Sequence, residues 1–367
     1  MSSTGEITFD IVVSGCATDC WHCYVSGGPA SLMTMSDYEN VLDFVNEFCR
    51  IANEQNVKVY PYLDLEPMLH PEIEKIVSLA RKINGFSLPA CIPTTGVPIS
   101  TRNDWEQVLA AYHEAGVRQL EFTLHGPEAI HDKAVSRKGA FRCLNEAVQR
   151  AKRSSFEIIL NLMVSKPMLQ QFQKTMYAVE RNEYNHKRAV IPTYAPNERL
   201  RRFEQYRPEL ADVIPYKEFF QEFCDNKTRD GEYWNNVKGS TEEKAYQELL
   251  AHENKYESYH LIIDSLPTWY FLSVGPGLDI WYGNGFHRTQ ILGQIGKSTP
   301  TEVLNKVLRR YPNYSFGGYF PIDRVPSPIE VGKKVADPTG KRIYHEIDEI
   351  HVKWLDKYLM ESSEQAL

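Results

Sequence analysis

The segment Cys16-Ala17-Thr18-Asp19-Cys20-Trp21-His22-Cys23 decides how this chain is interpreted, and it follows directly on an apolar stretch, Ile7–Ser14. A short apolar run that ends in turn residues is typical of a buried strand. Thiols spaced this closely on a loop can converge on one face of an iron–sulfur cluster. Three protein ligands would leave one iron of a [4Fe–4S] cluster open, and an open metal position is where a substrate can bind.

Two other interpretations of the three cysteines stay open at this point. A structural zinc ion would need a fourth ligand, and His22 would have to fold back between two of the cysteines to supply it. The thiols could also be unreactive. The chain has seven cysteines, and this odd number, with three of them clustered, argues against a disulfide framework. The remaining four, Cys49, Cys91, Cys143 and Cys224, are too scattered to form a second cluster site.

Along the rest of the chain, apolar runs alternate with longer amphipathic patterns. The predicted strands are Ile7–Ser14, Val57–Asp64, Phe86–Ile92, Arg118–Leu124, Phe156–Val164 and Ala189–Tyr194. The predicted helices are Met35–Asn53, Pro71–Ile83, Asp104–Ala115, Gly139–Arg153 and Pro167–Arg181. Successive βαβ units of this kind predict a parallel sheet. We therefore expect the α/β class, with a partial (β/α)6 TIM-like barrel and a C-terminal α+β extension.

The pattern divides the chain into three segments. Residues 1–195 form the predicted barrel, and residues 196–258 are a charged helical insertion or connector. A solvated face is the simplest interpretation of this connector, and a lid or docking element is the alternative. Residues 259–367 contain β-rich stretches and a final helical pattern, and they form the predicted extension.

Composition excludes several classes of protein. The chain of 367 residues has 41 basic and 48 acidic side chains, and its net charge of −7 argues against a nucleic-acid partner. No window has the roughly 18 consecutive apolar residues of a membrane span, so we expect no membrane partner. The first residues lack the pattern of a signal peptide. Together with the cysteine usage, this predicts a cytoplasmic protein.

The spacing CxxxCxxC, followed by the aromatic residue Tyr24, resembles that of the radical S-adenosylmethionine (SAM) enzymes. The resemblance implies that Cys16, Cys20 and Cys23 ligate a [4Fe–4S] cluster and that the open iron binds SAM. It also implies an external electron donor such as flavodoxin or ferredoxin. Electron transfer from the cluster would cleave SAM and yield a 5′-deoxyadenosyl radical.

Motifs at later strand ends are similar to those of the same family. Asp64-Leu65-Glu66-Pro67 resembles its GGEP element without the two glycines, and the resemblance implies that Glu66 holds the amino group of SAM. Thr94-Thr95-Gly96 is similar to its TNG turn, with Thr95 in the asparagine position. Phe122-Thr123-Leu124-His125-Gly126-Pro127 resembles its SLDGP run, which implies that the Thr123 hydroxyl binds the carboxylate of SAM.

Two further cofactor contacts follow from the resemblance. The family has an arginine three residues after a His-Asp pair, but this chain has Val135 there, so Arg137 is the nearest substitute and Lys133 a second choice. Asn161 lies in an apolar strand and needs a partner. The resemblance implies that this partner is the SAM ribose, and a bond to a neighbouring strand is the alternative.

The candidates for catalysis are His125, Cys91 and Cys224. His125 replaces the usual aspartate, as a substrate contact, a proton carrier or a structural histidine, and either cysteine could donate a hydrogen atom. Residues from Leu272 onward resemble the SPASM or twitch extension of the family, which normally carries cysteines for auxiliary clusters. This chain has no cysteine after Cys224, so the extension is predicted to lack them.

The predicted function is therefore SAM-dependent radical chemistry on a substrate hydrogen, in the tailoring of a natural product or another small molecule derived from an amino acid. Loss of the auxiliary clusters favours a redox-neutral outcome, although rearrangement, epimerisation, coupling and oxidation all remain open. Modification of a ribosomal peptide is the alternative within the class. An alternative of another class is a non-catalytic or regulatory iron–sulfur or zinc protein.

Overall fold

The structure is a computed structural model, and it describes residues 5–81, 88–224, 229–259, 269–283, 290–309, 320, 325–345 and 347–364. The strands are β1 (Gly5–Ile11), β2 (Val57–Leu63), β3 (Cys91–Thr94), β4 (Gln119–Leu124), β5 (Glu157–Met163), β6 (His186–Val190), β7 (Trp269–Val274), β8 (Asp279–Tyr282) and β9 (Gln290–Gln294).

Helices separate the first six strands and dominate the chain after them. Those of the barrel are α1 (Met35–Glu54), α2 (Ile73–Ala80), α3 (Val97–Thr101), α4 (Trp105–Glu114), α5 (Glu128–Ala134), α6 (Ala140–Arg153), α7 (Lys166–Gln170) and α8 (Phe172–Glu180). Those that follow are α9 (Glu198–Phe203), α10 (Leu210–Val213), α11 (Lys217–Phe223), α12 (Arg229–Asn235), α13 (Glu242–Ala251), α14 (Pro300–Leu308), α15 (Pro328–Val335) and α16 (Ile347–Glu364). Short 3₁₀ turns lie at Pro67–Leu69, Ile214–Tyr216, Val237–Gly239 and Glu253–Tyr256.

The first six strands pair only in parallel with one another among the described residues. β1 pairs with β2, and β3, β4, β5 and β6 form a second sheet in that order. Parallel strands joined by helices place their carboxyl ends at one edge, where the loops converge. The expected fold class, a partial TIM-like barrel with a C-terminal α+β extension, is confirmed.

Strand alternation sorts the side chains into a helix-facing layer and an inner layer. Ile7, Phe9 and Ile11 of β1 are fully buried in the main core, where the ring of Phe9 lies 5.3 Å from that of Phe48 on α1. The alternate residues of β4, Gln119, Glu121 and Thr123, are only partly buried. A strand with one fully buried face is firmly held in register, so its polar positions stay on the inner face.

Several predicted boundaries are wrong for identifiable reasons. β6 begins at His186 rather than Ala189, because this edge strand tolerates three exposed polar residues at its start. The predicted helix Pro167–Arg181 is two helices, since Gln171 leaves the helical conformation with a φ of −118° and a ψ of 31°. β3 begins at Cys91, and residues 86–87 of the predicted strand lie outside the described part of the chain.

The C-terminal extension continues the first barrel sheet. β7 pairs in parallel with β1, and β8 and β9 follow in antiparallel order. Helix α14 begins with a capping box formed by Thr299 and Glu302, and it packs on α1. The extension therefore shares the main core with the barrel.

The segment after the barrel is packed rather than solvated. Trp234 of α12 is fully buried beside Phe220 of α11, and the Trp234 indole N–H donates to the carbonyl oxygen of Ala189 in β6 at 2.8 Å. Glu242 of α13 accepts hydrogen bonds from Lys353 and Trp354 of α16, both at 2.7 Å. At these positions the helices of residues 196–258 pack on the barrel and on α16, while the insertion or connector stays a prediction. In the described ranges, no helix is long and apolar enough to cross a membrane.

Candidate active site at the carboxyl ends of the strands

A cavity of about 210 Å³ lies where the cysteine loop meets the ends of β2, β3 and β4. From the cysteine loop it is lined by Cys16, Thr18, Cys20, His22, Tyr24 and Val25. From the other elements it is lined by Asp64, Leu65, Glu66, Pro93, Thr94, Thr95, Thr123, His125, His131, Val135 and Ala140. The cavity thus brings Cys16 and Cys20 together with Glu66, Thr95 and Thr123, three of the predicted SAM contacts, whereas Cys23 is not among the described lining residues.

The cysteine loop, residues 12–34, is closed at its base by backbone hydrogen bonds. The amide of Met33 donates to the carbonyl oxygen of Val13 at 2.9 Å, and the amide of Cys16 donates to that of Gly28 at 2.8 Å. Gly15 permits this closure, because a Cβ there would lie 2.1 Å from the Gly28 oxygen. The loop therefore returns on itself around the thiols.

Gly27 keeps the space between two of the thiols open. A Cβ on Gly27 would lie 3.0 Å from Sγ of Cys16 and 3.5 Å from Sγ of Cys23. The Gly27 amide also donates to Sγ of Cys23 at 3.1 Å, while Sγ of Cys20 lies 3.3 Å from Oγ1 of Thr18. Such polar contacts to ligand sulfurs orient a metal site and set its potential.

Burial controls the protonation of these thiols. It raises the pKa of Cys16, with a further contribution from the negative charge of Glu66. Burial also raises the pKa of Cys20, to about 12, and that of Cys23, while the positive charge of Arg199 lowers both. The free thiols are therefore neutral near pH 7, and binding of iron would displace their protons.

Helix α9 and its N-cap residue Asn197 contact the cysteine loop. The Asn197 amide group donates to the carbonyl oxygens of Cys23 and Tyr24, both at 3.3 Å. Arg199 donates to the Gly27 carbonyl oxygen and forms an ion pair with Asp19 at 2.5 Å. These contacts were not predictable from the sequence, because polar residues in a charged segment are typical of a solvated helix.

The end of β2 presents two carboxylates. Glu66 is 1% exposed and accepts hydrogen bonds from Oγ1 of Thr94 and from the amide of Thr95, both at 2.7 Å. Burial raises the pKa of Glu66, which these hydrogen bonds partly offset, and burial also raises the pKa of Asp64 to about 6. Each Glu66 oxygen accepts one bond here and has a second lone pair for a cationic ligand.

Leu65 has the backbone of a glycine. Its φ is +65°, in the left-handed region that costs a leucine roughly 1–2 kcal/mol. Its Cδ2 lies 3.6 Å from the Cβ position of Gly27, so the side chain reaches the cysteine site. The backbone at Leu65 thus has the left-handed conformation that favours glycine, and the leucine side chain adds an apolar surface to the cavity.

Three histidines form a column beside the thiols. The rings of His22 and His125 lie 4.4 Å apart between centroids, and those of His125 and His131 lie 5.5 Å apart. Burial lowers the pKa of His22 and of His131 to about 4 and that of His125 well below its usual range. All three rings are therefore neutral.

Two predicted SAM contacts are not among the lining residues. Arg137 is exposed and donates to the Ala17 carbonyl oxygen on the cysteine loop at 3.1 Å. Nδ2 of Asn161 donates to Glu121 on the neighbouring strand at 2.5 Å, while its Oδ1 is buried with no hydrogen-bond partner. Both roles stay predictions. Lys133, the second choice for the cation, is exposed.

The two candidate hydrogen donors occupy different places. Cys91 begins β3, and burial raises the pKa of its thiol to about 11, with Glu121 adding to this and Arg188 opposing it. Cys224 is 2% exposed in the core behind β6, where its Sγ accepts from the amide of Ala189 at 3.0 Å. Neither cysteine is among the described residues that line the cavity, and their role as hydrogen donors stays a prediction.

The residues present fit a cluster better than a single ion. In the described ranges, no three His, Cys, Asp or Glu side chains are arranged around one metal-ion position. A zinc ion needs ligands at about 2.0–2.3 Å from one centre. An iron–sulfur cluster is larger and is held by cysteine thiolates alone. Cys16, Cys20 and Cys23 lie on one loop, with Sγ of Cys16 and of Cys23 within 3.5 Å of the Cβ position of Gly27, and these cysteines would be the ligands of such a cluster.

The fold and this cavity define a parallel α/β barrel protein with a three-cysteine site at the carboxyl ends of its strands. The family model of the radical SAM superfamily matches residues 11–176. Members of the superfamily use a [4Fe–4S] cluster and SAM, which confirms the predicted cofactors.

Comparison with solved structures supports the same fold. The chain is similar to anSMEcpe with bound AdoMet and a Cp18Cys peptide, at 13% identity and a TM-score of 0.51, covering 98% of each chain. It is also similar to Streptococcus suis SuiB bound to its precursor peptide SuiA, at 10% identity and a TM-score of 0.51, covering 94% of this chain and 75% of that one. No curated protein matches the sequence.

Proposed function

We propose that this chain is a radical SAM enzyme in which Cys16, Cys20 and Cys23 hold a [4Fe–4S] cluster whose open iron binds SAM. The observation that carries this proposal is one cavity that joins Cys16 and Cys20 to Glu66, Thr95 and Thr123, with Cys23 on the same loop beside Gly27. When bound, the cluster supplies one electron to the sulfonium of SAM, whose cleavage yields methionine and a 5′-deoxyadenosyl radical that takes a hydrogen atom from the substrate.

Glu66, Thr123 and Asn161 contact different groups of SAM in this proposal. Glu66 offers free lone pairs to the SAM ammonium, and its bonds to Thr94 and Thr95 fix its orientation. The Thr123 hydroxyl donates to the SAM carboxylate. Asn161 is in register with Thr123 on the neighbouring strand, and its buried Oδ1 offers an acceptor to a ribose hydroxyl. Leu65 and Val135 exclude water from this space.

We further propose a small natural product or amino-acid derivative as the substrate, and a redox-neutral outcome. Residues 259–367 would then be a SPASM- or twitch-like extension without auxiliary clusters, since no cysteine follows Cys224. Cys91 and Cys224 stay the two candidate hydrogen donors: Cys91 begins β3, and Cys224 is buried behind β6. Modification of a peptide is the alternative, since anSMEcpe and SuiB are both described with bound peptides.

SAM cleavage tests the activity directly. Anaerobically reconstituted protein is incubated with SAM and either dithionite or reduced flavodoxin, and 5′-deoxyadenosine is quantified. Cys20→Ala should abolish the product, whereas Cys143→Ala on α6 should retain it. A full cluster complement that yields no 5′-deoxyadenosine would favour the non-catalytic iron–sulfur alternative.

The substrate class needs a separate measurement. Extract from cells grown in deuterated medium is separated into small-molecule and peptide fractions, and each is added to the reaction. Deuterium transfer into 5′-deoxyadenosine from the small-molecule fraction supports our proposal. Transfer from the peptide fraction alone would favour peptide modification.

A further inference from the structure

Apart from its thiols, the polar side chains that line the cavity are acids, hydroxyls and histidines. Asp64 and Glu66 supply two carboxylates, and no lysine or arginine is among the described lining residues. SAM carries a sulfonium, an ammonium and a carboxylate. The acids suit its two cationic groups, but a buried carboxylate also needs donors, and an unsatisfied one is costly.

His125 is the donor that the surrounding protein leaves unused. It is 1% exposed and lines the cavity, yet both ring nitrogens are buried without a hydrogen-bond partner. Nδ1 of the adjacent His22 is in the same condition. A buried polar group with no partner costs about 1–3 kcal/mol, so such a group calls for an explanation.

The position of His125 suits a ligand that also contacts Thr123. The two residues are separated by Leu124 at the end of β4, and side chains two apart on a strand point to the same side. Thr123 and His125 both line the cavity, whereas the intervening Leu124 is buried in the hydrophobic core behind.

Neighbouring residues hold His125 in place. Its backbone amide donates to Nδ1 of His131 at 3.4 Å, and its ring packs on His22 within the cysteine loop. A neutral imidazole always has one N–H donor. The ring is therefore placed between the thiols and the end of β4, with a donor available.

We infer that His125, supported by His22, donates an N–H to the carboxylate of SAM, in the role that an arginine has elsewhere in the superfamily. This inference rests on the proposed function. It explains how the chain manages with Val135 at the expected arginine position, and why Arg137 and Lys133 lie on the surface instead.

Binding of SAM and of its decarboxylated analogue separates this role from a structural one. The dissociation constants of both are measured by equilibrium dialysis on anaerobically reconstituted protein, with iron content and circular dichroism checked for every variant. His125→Leu should weaken SAM binding about tenfold to a hundredfold, since a hydrogen bond to a charged group contributes roughly 1.5–3 kcal/mol. Binding of decarboxylated SAM should change less than about twofold, within the scatter expected for a neutral substitution.

Two further variants strengthen the test. His125→Gln retains an N–H donor and should recover most of the affinity for SAM. His351→Leu removes a histidine that is equally buried and unpartnered but lies outside the cavity lining, and it should leave both affinities unchanged.

The outcomes separate the two proposals. Equal losses for SAM and its decarboxylated analogue, or SAM affinity unchanged by His125→Leu, would overturn the inference about His125 alone. Wild-type protein that carries a full cluster and binds neither ligand would overturn the proposed function, and this inference with it.

Discussion

The Arg199 guanidinium lies 2.5 Å from the Asp19 carboxylate and also donates to the carbonyl oxygen of Gly27, which lies 172 residues earlier in the chain. Asp19 and Gly27 both belong to the cysteine loop. Helix α9, the first helix after the barrel strands, therefore fixes the loop that carries the thiols. The segment after the barrel therefore contacts the loop that carries the three cysteines proposed to hold the cluster.

Removing this contact should weaken retention of the cluster. Arg199→Gln is expected to speed loss of iron to a chelator about fivefold, which corresponds to roughly 1 kcal/mol for a partly exposed ion pair. The physical reason is the loss of both the loop contact and a positive charge that stabilises the Cys20 and Cys23 thiolates. Iron release is followed by absorbance.

Arg202→Gln is the matched control for Arg199, because Arg202 lies on the same helix and pairs only with the exposed Glu198. It should release iron at the wild-type rate. Equal rates for both variants would show that α9 does not stabilise the site.

Gly27→Ala should block cluster assembly without unfolding the protein. The added Cβ would lie 3.0 Å from Sγ of Cys16, inside the space that the cluster needs. Iron per chain after reconstitution should fall from about four to below about one. Gly239→Ala, where a Cβ meets nothing within 4 Å, serves as the control. A full cluster in the Gly27→Ala protein would show that the cluster does not occupy the space beside Gly27.

At position 65 glycine should be more stable than alanine. Both variants remove the leucine side chain, but only glycine adopts the φ of +65° without strain. The free energy of unfolding of Leu65→Gly should therefore be about 1 kcal/mol higher than that of Leu65→Ala. Gln107 is exposed within α4, and there Gln107→Ala should be more stable than Gln107→Gly by a similar amount. The free energy of unfolding in urea measures both pairs, and the same order at both positions would contradict the assigned backbone.

His351 should make the fold sensitive to acid. Burial, with a contribution from Lys255, lowers its pKa from 6.5 to about 3. Below pH 6.5 the unfolded chain binds a proton that the folded chain excludes, so stability falls as the pH is lowered towards 3.

The contribution of His351 is about 1.4 kcal/mol per pH unit between roughly pH 6 and pH 4. His351→Phe retains a ring between Tyr256 and Trp354. It should reduce the pH dependence of the unfolding free energy by the equivalent of one bound proton, about 1.4 kcal/mol per pH unit. Urea unfolding at several pH values, at equal cluster content, provides the comparison. An unchanged slope would mean that His351 is protonated in the folded state.

The local part of the architecture was predictable from the sequence. Strand β2 and helix α1 lie within one residue of their predicted ends, because each has a strong periodic pattern and a clear turn or cap. Cys16, Cys20, Glu66, Thr95 and Thr123 meet at one cavity, as expected of residues at or beyond the carboxyl ends of parallel strands, while the roles predicted for them stay predictions.

Long-range contacts were not predictable in the same way. The pairing of β7 with β1 and the contact of Arg199 with Asp19 join distant parts of the chain, and no local pattern encodes them. The burial of Trp234 was missed because its neighbours in the sequence are charged. The column of His22, His125 and His131 was not predicted because its members come from the cysteine loop, the end of β4 and α5, which only the tertiary fold brings together.

Electron paramagnetic resonance of the reduced, reconstituted protein, recorded with and without SAM, tests the central claim most directly. The claim predicts about four iron atoms per chain and a reduced-cluster signal that changes when SAM is added. The signal should be lost in Cys16→Ala and retained in Cys49→Ala. Bound zinc in place of iron, or a cluster signal that SAM leaves unchanged, would contradict the claim that these three cysteines hold a SAM-binding cluster.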